Sequence, residues 1–430
     1  MLSPTPTDRA TLVAIQSERL RELVAEVLPG NPFYARKLAA AGVDATSIRS
    51  LDDLCRLPFT TKDELSTDQA ACPPYGTNRS FPLERYTRLH QTSGTMGRPL
   101  YWLDTPESWQ AMLGCWRAIY AVVGLGPGDR LFFPFSFGPF LGLWTAYEAA
   151  AQLGLFVAAG GGLSSLARLR FLREHRITTV LCTPTYALRL AEVAQNEHID
   201  LQDLPVRTLI VMGEPGGSVP ATRRRIEGAW GARVFDHSGL TEVGPVAIEC
   251  RDGPGGLHIL EEDYVAEVID PERHTPTPAG DIGELVLTNL RRRASPVFRY
   301  RTGDLVRLDT SPCPCGRPWL RLQGGILGRR DDMIQVRGHN VYPAALEQVV
   351  HRFPEVAEYR VVVDQTGDQT EVVIEVEPRL GVAAEVAARI SQAIRDELLF
   401  RAEVVGVPPG TLPRFDMKSR RLVFRRPPMP

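Results

Sequence analysis

Thr179-Val180-Leu181-Cys182 is a short run with little polar alternation, and helical apolar spacing follows it at 185–196. A strand of that kind is covered on both faces, as strands are in a parallel sheet flanked by helices. The same couple recurs on both sides of it. Arg130-Leu131-Phe132-Phe133 precedes a helix predicted at 140–153, Leu155-Phe156-Val157-Ala158 one at 164–175, and Thr208-Leu209-Ile210-Val211-Met212 one at 218–230. This alternation predicts an α/β fold with a mainly parallel sheet. Upstream, residues 8–45 read as helical: Ile15, Leu20, Leu23, Val24 and Val27 share a helical period, and Gly30-Asn31-Pro32 interrupts it. Downstream, strands at 264–269 and 283–287 mark a β-rich subdomain spanning about 245–325. A helix at 343–352, strands at 358–363 and 371–377, and a helix at 382–400 complete a small α+β piece that could fold alone. The boundary falls in the polar segment at Arg330-Asp331, so a large domain 1–330 and a small mobile domain 331–430 are expected.

A chain of 430 residues exceeds one ordinary core. A net charge of −2 leaves no electrostatic case for a nucleic-acid or anionic-membrane partner. No apolar run approaches the ~18 residues of a membrane span. The segment Met1-Leu2-Ser3-Pro4-Thr5-Pro6 lacks a basic stretch followed by an apolar one, so a cytoplasmic location is expected. The 7 cysteines are too few for a disulfide framework, and Cys55, Cys72, Cys115 and Cys182 are expected to be buried.

Several segments carry residue types suited to nucleotide chemistry. Gln91-Thr92-Ser93-Gly94-Thr95-Met96-Gly97-Arg98-Pro99 combines hydroxyls, glycines and a cation, as a loop wrapped round phosphates would. It lacks the Gly-Lys-Ser/Thr ending of a Walker loop. Asp236-His237-Ser238-Gly239-Leu240-Thr241-Glu242 sets a hydroxyl beside a carboxylate after a strand, which suits a phosphate contact plus a metal ligand. Tyr300-Arg301-Thr302-Gly303-Asp304-Leu305 places a carboxylate at an expected turn, able to accept from ribose hydroxyls. The run 328–343 has the charge and glycine content of a hinge, and Lys418 lies near the C-terminus. Each has an alternative reading, as a surface turn, a solvated charge cluster or a surface lysine.

Together, and in this order, the segments resemble the adenylate-forming enzymes, the acyl-CoA synthetase and adenylation-domain superfamily, and most of all its phenylacetate–CoA ligase family. Leu57-Pro58-Phe59-Thr60-Thr61-Lys62-Asp63-Glu64-Leu65 and Gly126-Pro127-Gly128-Asp129-Arg130 are also similar to that family. The resemblance implies a two-step reaction with ATP, Mg²⁺ and coenzyme A, in which an acid forms an acyl-adenylate and a thiol then displaces AMP. It implies that Thr92, Ser93, Gly94, Thr95 and Gly97 hold phosphates, that Thr241 contacts the α-phosphate, and that Glu242 holds Mg²⁺. Glu214, Pro215, Asp236, His237 and Ser238 would lie along the nucleotide, with Asp304 on the ribose and Arg329 nearby. Lys418 matches the catalytic lysine, a flexible point charge suited to delivery and withdrawal. Asp331 matches the hinge about which the C-terminal domain rotates.

The resemblance places the acid near Phe137, Phe140, Gly213, His237 and Gly239, and two phenylalanines suggest a flat aromatic ring. The substrate implied is thus a small aromatic acid, with a carrier-protein thiol as the alternative acceptor. Relatives often dimerise, so the resemblance leaves a monomer and a homodimer both open. Ser238 replaces the aromatic residue that many members stack on adenine, and Met96 and Arg98 replace a threonine and a lysine. Those departures keep open a non-catalytic, adenylate-binding member. Separately, Cys250, His258, Cys313 and Cys315 form a Cys₃His set of the structural-zinc type; unpaired cysteines are the alternative.

Overall fold

The computed structural model describes residues 8–92, 99–336, 339–366, 370–379 and 385–425. The chain divides into two compact units, each made of two separated pieces: Met1–Gly161 with Phe235–Gly325, and Gly162–Val234 with Ile326–Pro430.

In the first unit the helix Arg9–Val27 starts at Asp8, whose side chain accepts from Thr11 N. Its stripe of Leu12, Leu20, Leu23 and Val27 is buried, and Gln16 Nε2 donates to Tyr264 O at 2.8 Å. The helix Pro106–Val123 has Thr105 as its cap, proline in its first turn and Gly124 in the left-handed region after it, at φ 79°. Proline opens a helix because its missing N–H has no partner there; glycine closes one because it adopts positive φ without strain. This helix buries Trp109, Trp116 and Tyr120. Trp116 Nε1 donates to Thr145 Oγ1 and Tyr120 Oη to Ala146 O, at 3.0 and 2.7 Å, joining it to the helix Leu141–Gln152. The strands Arg130–Phe133 and Phe156–Ala159 pair in parallel on either side of that second helix in sequence. The β-rich part is antiparallel, in the order Tyr264–Ile269, Ile282–Asn289, Tyr300–Asp309, Arg321–Gln323, Gly256–Ile259, Gly244–Glu249, with 237–240 beside the last.

Two expectations are corrected here. The carboxylate Asp304 lies within the strand Tyr300–Asp309, not at a turn. Gly303 takes φ 76°, and the partner strand shifts register between Glu284 and Val286. The glycine that suggested a turn instead makes a bulge inside a ladder. Cys55 and Cys72 are exposed, while Cys115 and Cys182 are buried. Cys55 lies in the short 3₁₀ turn Asp52–Arg56 and Cys72 caps the helix Lys62–Ala71, both of them surface features.

In the second unit the strands Thr179–Cys182 and Thr208–Met212 pair in parallel and are buried throughout, as their composition predicts. Helices Ser165–Glu174, Pro184–Asn196 and Pro220–Trp230 follow the expected alternation. The C-terminal piece is a sheet in the order Glu403–Gly406, Glu371–Pro378, Val356–Asp364, Leu422–Arg425, with helices Pro343–Val350 and Glu385–Leu398. Leu346, Val350, Val361, Ile374, Ile390 and Ile394 belong to its own apolar core. Polar bonds join this core to the Gly162–Val234 piece. Thr222 Oγ1 donates to Glu347 at 2.9 Å, and Arg414 pairs with both Glu192 and Glu377, at 3.1 and 2.6 Å. Among the described residues no helix is long and apolar enough to cross a membrane.

Candidate active site

The residues singled out from the sequence are divided between the two units. In the first unit, the Thr92 N–H donates to Leu100 O, and Thr92 Oγ1 accepts from Leu100 N, both at 3.0 Å. Ser93, Gly94, Thr95 and Gly97 lie outside the described residues.

The segment 236–242 leaves the strand Arg233–Leu240 through a tight turn. Gly239 sits so close to the returning strand that a Cβ there would lie 2.8 Å from Gly244 O, so only glycine fits. Asp236 N donates to Glu249 Oε2 at 3.1 Å. His237 is buried against Trp116, with ring centroids 4.6 Å apart, and its Nδ1 lies 2.7 Å from Ala247 O. A carbonyl can only accept, so Nδ1 carries the proton and Nε2 is left as an acceptor. Burial lowers the His237 pKa to about 4, so the ring is neutral near pH 7. Ser238 is half-buried opposite Ala247.

Thr241 and Glu242 occupy the turn between the strands ending at Leu240 and starting at Gly244. Arg292 Nη1 donates to Thr241 O at 2.5 Å, and Asn289 Nδ2 donates to Val243 O at 2.6 Å, so the carbonyls of the residues on either side of Glu242 are both held. The rest of the Arg292 fork is paired with Asp104, at 2.7 and 2.6 Å, and the two side chains are only 1% and 0% exposed. Glu242 is buried, and Lys62 Nζ lies 3.8 Å from its Oε1. A hydroxyl-bearing residue and a carboxylate are thereby held side by side, a donor set that fits a hard divalent cation with a phosphate.

Lys62 and Arg292 were not singled out for function from sequence. Lys62 was legible in part, because Thr61 and Glu64 form a capping box that fixes the start of the helix Lys62–Ala71. The preceding Thr60 bridges to Tyr300, and Phe59 lies beneath Arg299, whose guanidinium is 4.0 Å from the ring centroid. Asp304 is buried on the same strand, its N–H donating to Thr302 Oγ1 at 3.0 Å.

Phe137 is half-buried within an aromatic group, its ring centroid 4.8 Å from Trp144, 5.4 Å from Tyr147, 6.0 Å from Phe133 and 6.4 Å from Phe135. Phe140 is the cap of the helix Leu141–Gln152, and a Cβ on Gly138 would meet its ring at 3.3 Å.

In the second unit Gly213 follows the buried strand Thr208–Met212 with φ 91°. A Cβ there would lie 3.1 Å from Lys418 Cε, so the lysine runs directly over this glycine. Glu214 is half-buried and Pro215 exposed. Arg329 Nη2 bonds both oxygens of Asp331, at 3.1 and 2.9 Å, across the exposed segment expected to be a hinge.

The cysteine and histidine set converges. The ligand atoms of Cys250, His258, Cys313 and Cys315 lie within 4.8 Å of one another. Cys250 Sγ is 3.6 Å from Cys313 Sγ, and Cys315 Sγ is 3.5 Å from His258 Nε2. Tetrahedral zinc with ordinary Zn–S and Zn–N bonds requires roughly 3.8 Å and 3.6 Å for such pairs, so the residues fit the ion. His258 Nδ1 faces Trp319 O at 3.4 Å, which turns the Nε2 lone pair toward the sulfurs. Gly253 N donates to Cys250 Sγ at 3.2 Å, and a Cβ on Gly253 would strike Cys313 Sγ at 2.7 Å.

The chain is similar to known proteins. The family model described as AMP-binding enzyme matches residues 88–289, and the AMP-binding enzyme C-terminal domain matches 338–426. The chain is 35% identical to a phenylacetate–coenzyme A ligase of Thermus thermophilus, covering 97% of each protein. It is 31% identical to the phenylacetate–coenzyme A ligase of Escherichia coli, over 96% of this chain and 94% of that one. It is also similar to a crystal structure of 2-hydroxyisobutyryl-CoA ligase in the postadenylation state. That match has a TM-score of 0.92 at 30% identity, and covers 98% of this chain and 91% of the other.

Proposed function

Because the chain belongs to the phenylacetate–coenzyme A ligase family of AMP-binding enzymes, we propose that it activates a small aromatic carboxylic acid with ATP and passes the acyl group to coenzyme A. In the first step a carboxylate oxygen of the acid bonds to the α-phosphorus, the bond to the bridging oxygen breaks, and pyrophosphate leaves. In the second step the thiolate sulfur bonds to the acyl carbon and AMP leaves with the former carboxylate oxygen. Neither step needs a protein nucleophile. Both need charge neutralisation and in-line placement.

The residues divide that work. Thr241 contacts the α-phosphate and Glu242 holds Mg²⁺, each fixed by the grip of Arg292 and Asn289 on their turn. Bound Mg²⁺ supplies the charge that makes pyrophosphate a tolerable leaving group. Thr92 and the loop after it hold the outer phosphates, and Asp304 accepts from the ribose. Lys418 neutralises charge between the acid and the α-phosphate, and Asp331 is the hinge about which 331–430 swings it away. His237 offers Nε2 as an acceptor beside the substrate. The Cys₃His set holds a structural zinc; four protein ligands leave it no open position for chemistry.

The observation that carries this reading is the placement of Lys418 over Gly213 at the end of a buried parallel strand. For the acid itself, the ring group around Phe137 favours a flat aromatic side chain. Acid-dependent ATP–pyrophosphate exchange across aromatic and short hydroxylated aliphatic acids is the test. Exchange is expected with aromatic acids, and its absence across the whole panel would refute the activity. Lys418→Ala should abolish exchange yet still convert a supplied acyl-adenylate to thioester; equal loss of both steps would contradict the lysine's assignment. Parallel assays with free coenzyme A and a carrier protein decide the acceptor.

A further inference from the structure

The segment that carries Lys418 is tied down on both sides of the lysine. On one side, Thr183 Oγ1 donates to Met417 O at 3.0 Å. On the other, Ser419 N donates to Glu214 Oε2 at 2.7 Å. The anchors sit at the C-terminal ends of neighbouring parallel strands, since Cys182 pairs with Val211. Each is itself held. Thr183 is the N-cap of the helix Pro184–Asn196 and accepts from Tyr186 N at 3.1 Å. The second Glu214 oxygen accepts from Thr185 N at 3.0 Å. Beyond the lysine, Arg421 Nη1 donates to Thr185 Oγ1 at 3.1 Å while its fork holds Glu358. The floor between the anchors is Gly213, where any side chain would press on Lys418 Cε.

A flexible lysine gains catalytic value only when its ammonium is placed, and here the placement comes from bonds to the backbone on either side of it. We propose that Thr183 and Glu214 are positioning residues that dock the Lys418 segment for acid activation alone. The inference rests on the reading of Lys418 as the adenylation lysine. Neither residue acts on the substrate through its dock. Their bonds exist only while Met417 and Ser419 are in place, so they serve the step that uses the lysine and not the step that follows its withdrawal.

The experiment is a half-reaction comparison on the full-length enzyme. Thr183→Val keeps the side-chain shape but removes the donor to Met417 O and the helix cap. Pyrophosphate exchange should fall on the order of ten-fold to a hundred-fold, the effect of losing one or two hydrogen bonds. Thioester formation from supplied acyl-adenylate and coenzyme A should stay within about two-fold, which also reports that the variant is folded. Thr183→Ser, which restores the hydroxyl, should recover exchange. Glu214→Gln should lower exchange, and combined with Thr183→Val it should cost less than the sum of the two single losses, because residues acting as one unit are not additive. Equal loss of both half-reactions in Thr183→Val, no rescue by serine, or fully additive loss when Thr183→Val and Glu214→Gln are combined would overturn the dock. Retained exchange in Lys418→Ala would instead overturn the lysine's assignment.

Discussion

Arg292 shows how much of this protein's chemistry depends on residues with no signature of their own. Its guanidinium neutralises the buried Asp104 and holds the Thr241 carbonyl. Arg292→Ala would strand a fully buried carboxylate, and removing one partner of such a pair costs about 3–5 kcal/mol. A marked fall in the thermal midpoint is expected. Arg292→Lys keeps the charge beside Asp104, but one ammonium cannot reproduce a planar fork with a third bond to Thr241. That variant should stay folded yet need more Mg²⁺ for half-maximal exchange; an unchanged Mg²⁺ dependence would show that the grip on Thr241 has no bearing on the cation. Thr241 and Glu242 were singled out because a hydroxyl beside a carboxylate suits a phosphate and a metal ligand, and Lys418 because its segment matches the family's catalytic lysine. Asp104, Thr183 and Arg292 were not, because their bonds reach residues distant in sequence, and neither composition nor periodicity records which distant residue a side chain will meet.

At the scale of elements, apolar period was a reliable guide wherever burial is two-sided. The strands Thr179–Cys182 and Thr208–Met212 and the helices after them stand where their patterns place them. The strand Tyr300–Asp309 was hidden because its inward positions include the polar Thr302 and Asp304, which break the apolar alternation of a strand. The helix Pro343–Val350 carries a different burden. Burial raises the Glu347 pKa to about 7, with Glu214 and Glu358 adding to the rise and Arg421 and the Thr222 hydroxyl opposing it. A carboxyl raised in the folded state contributes stability that is fully present below about 4.5 and lost as pH climbs through about 7. Glu347→Gln should remove that loss, so the variant's thermal midpoint should gain on the wild type between pH 4.5 and 8. His351, held well below 6.5 by burial and by Arg225 and Arg421, acts in the opposite sense as pH falls, and the substitution leaves it in place. Parallel midpoint-against-pH curves for the two proteins would refute the assignment.

On the scale of the whole molecule, the Cys₃His set links a β-hairpin at 250–258 to a turn at 313–315, distant in sequence and joined in space. Its membership was readable because cysteine and histidine are scarce and their ligand chemistry is narrow. Metal analysis of protein purified without added metal should find about one zinc per chain. Stripping it with a strong chelator, or replacing Cys313 by serine, should lower the thermal midpoint by several degrees while pyrophosphate exchange persists at low temperature. Absence of stoichiometric zinc would sink the assignment. The division of the chain was less legible than its elements. The expected boundary at 330 follows local texture, whereas compactness pairs Gly162–Val234 with Ile326–Pro430, a partnership carried by bonds such as Thr222 to Glu347 and Arg421 to Thr185.

That discontinuity reaches back to the ribosome. Gln16 bonds Tyr264, Asn78 bonds Pro296, and Arg292 pairs with Asp104, so the opening 161 residues have no complete partner surface until the piece ending at Gly325 has emerged. At ordinary elongation rates of ~5–20 residues per second, synthesis of the intervening segment 162–234 alone holds that surface open for roughly 4–15 s. Throughout that interval Gln16, Asn78 and Asp104 are without the residues they bond in the folded chain.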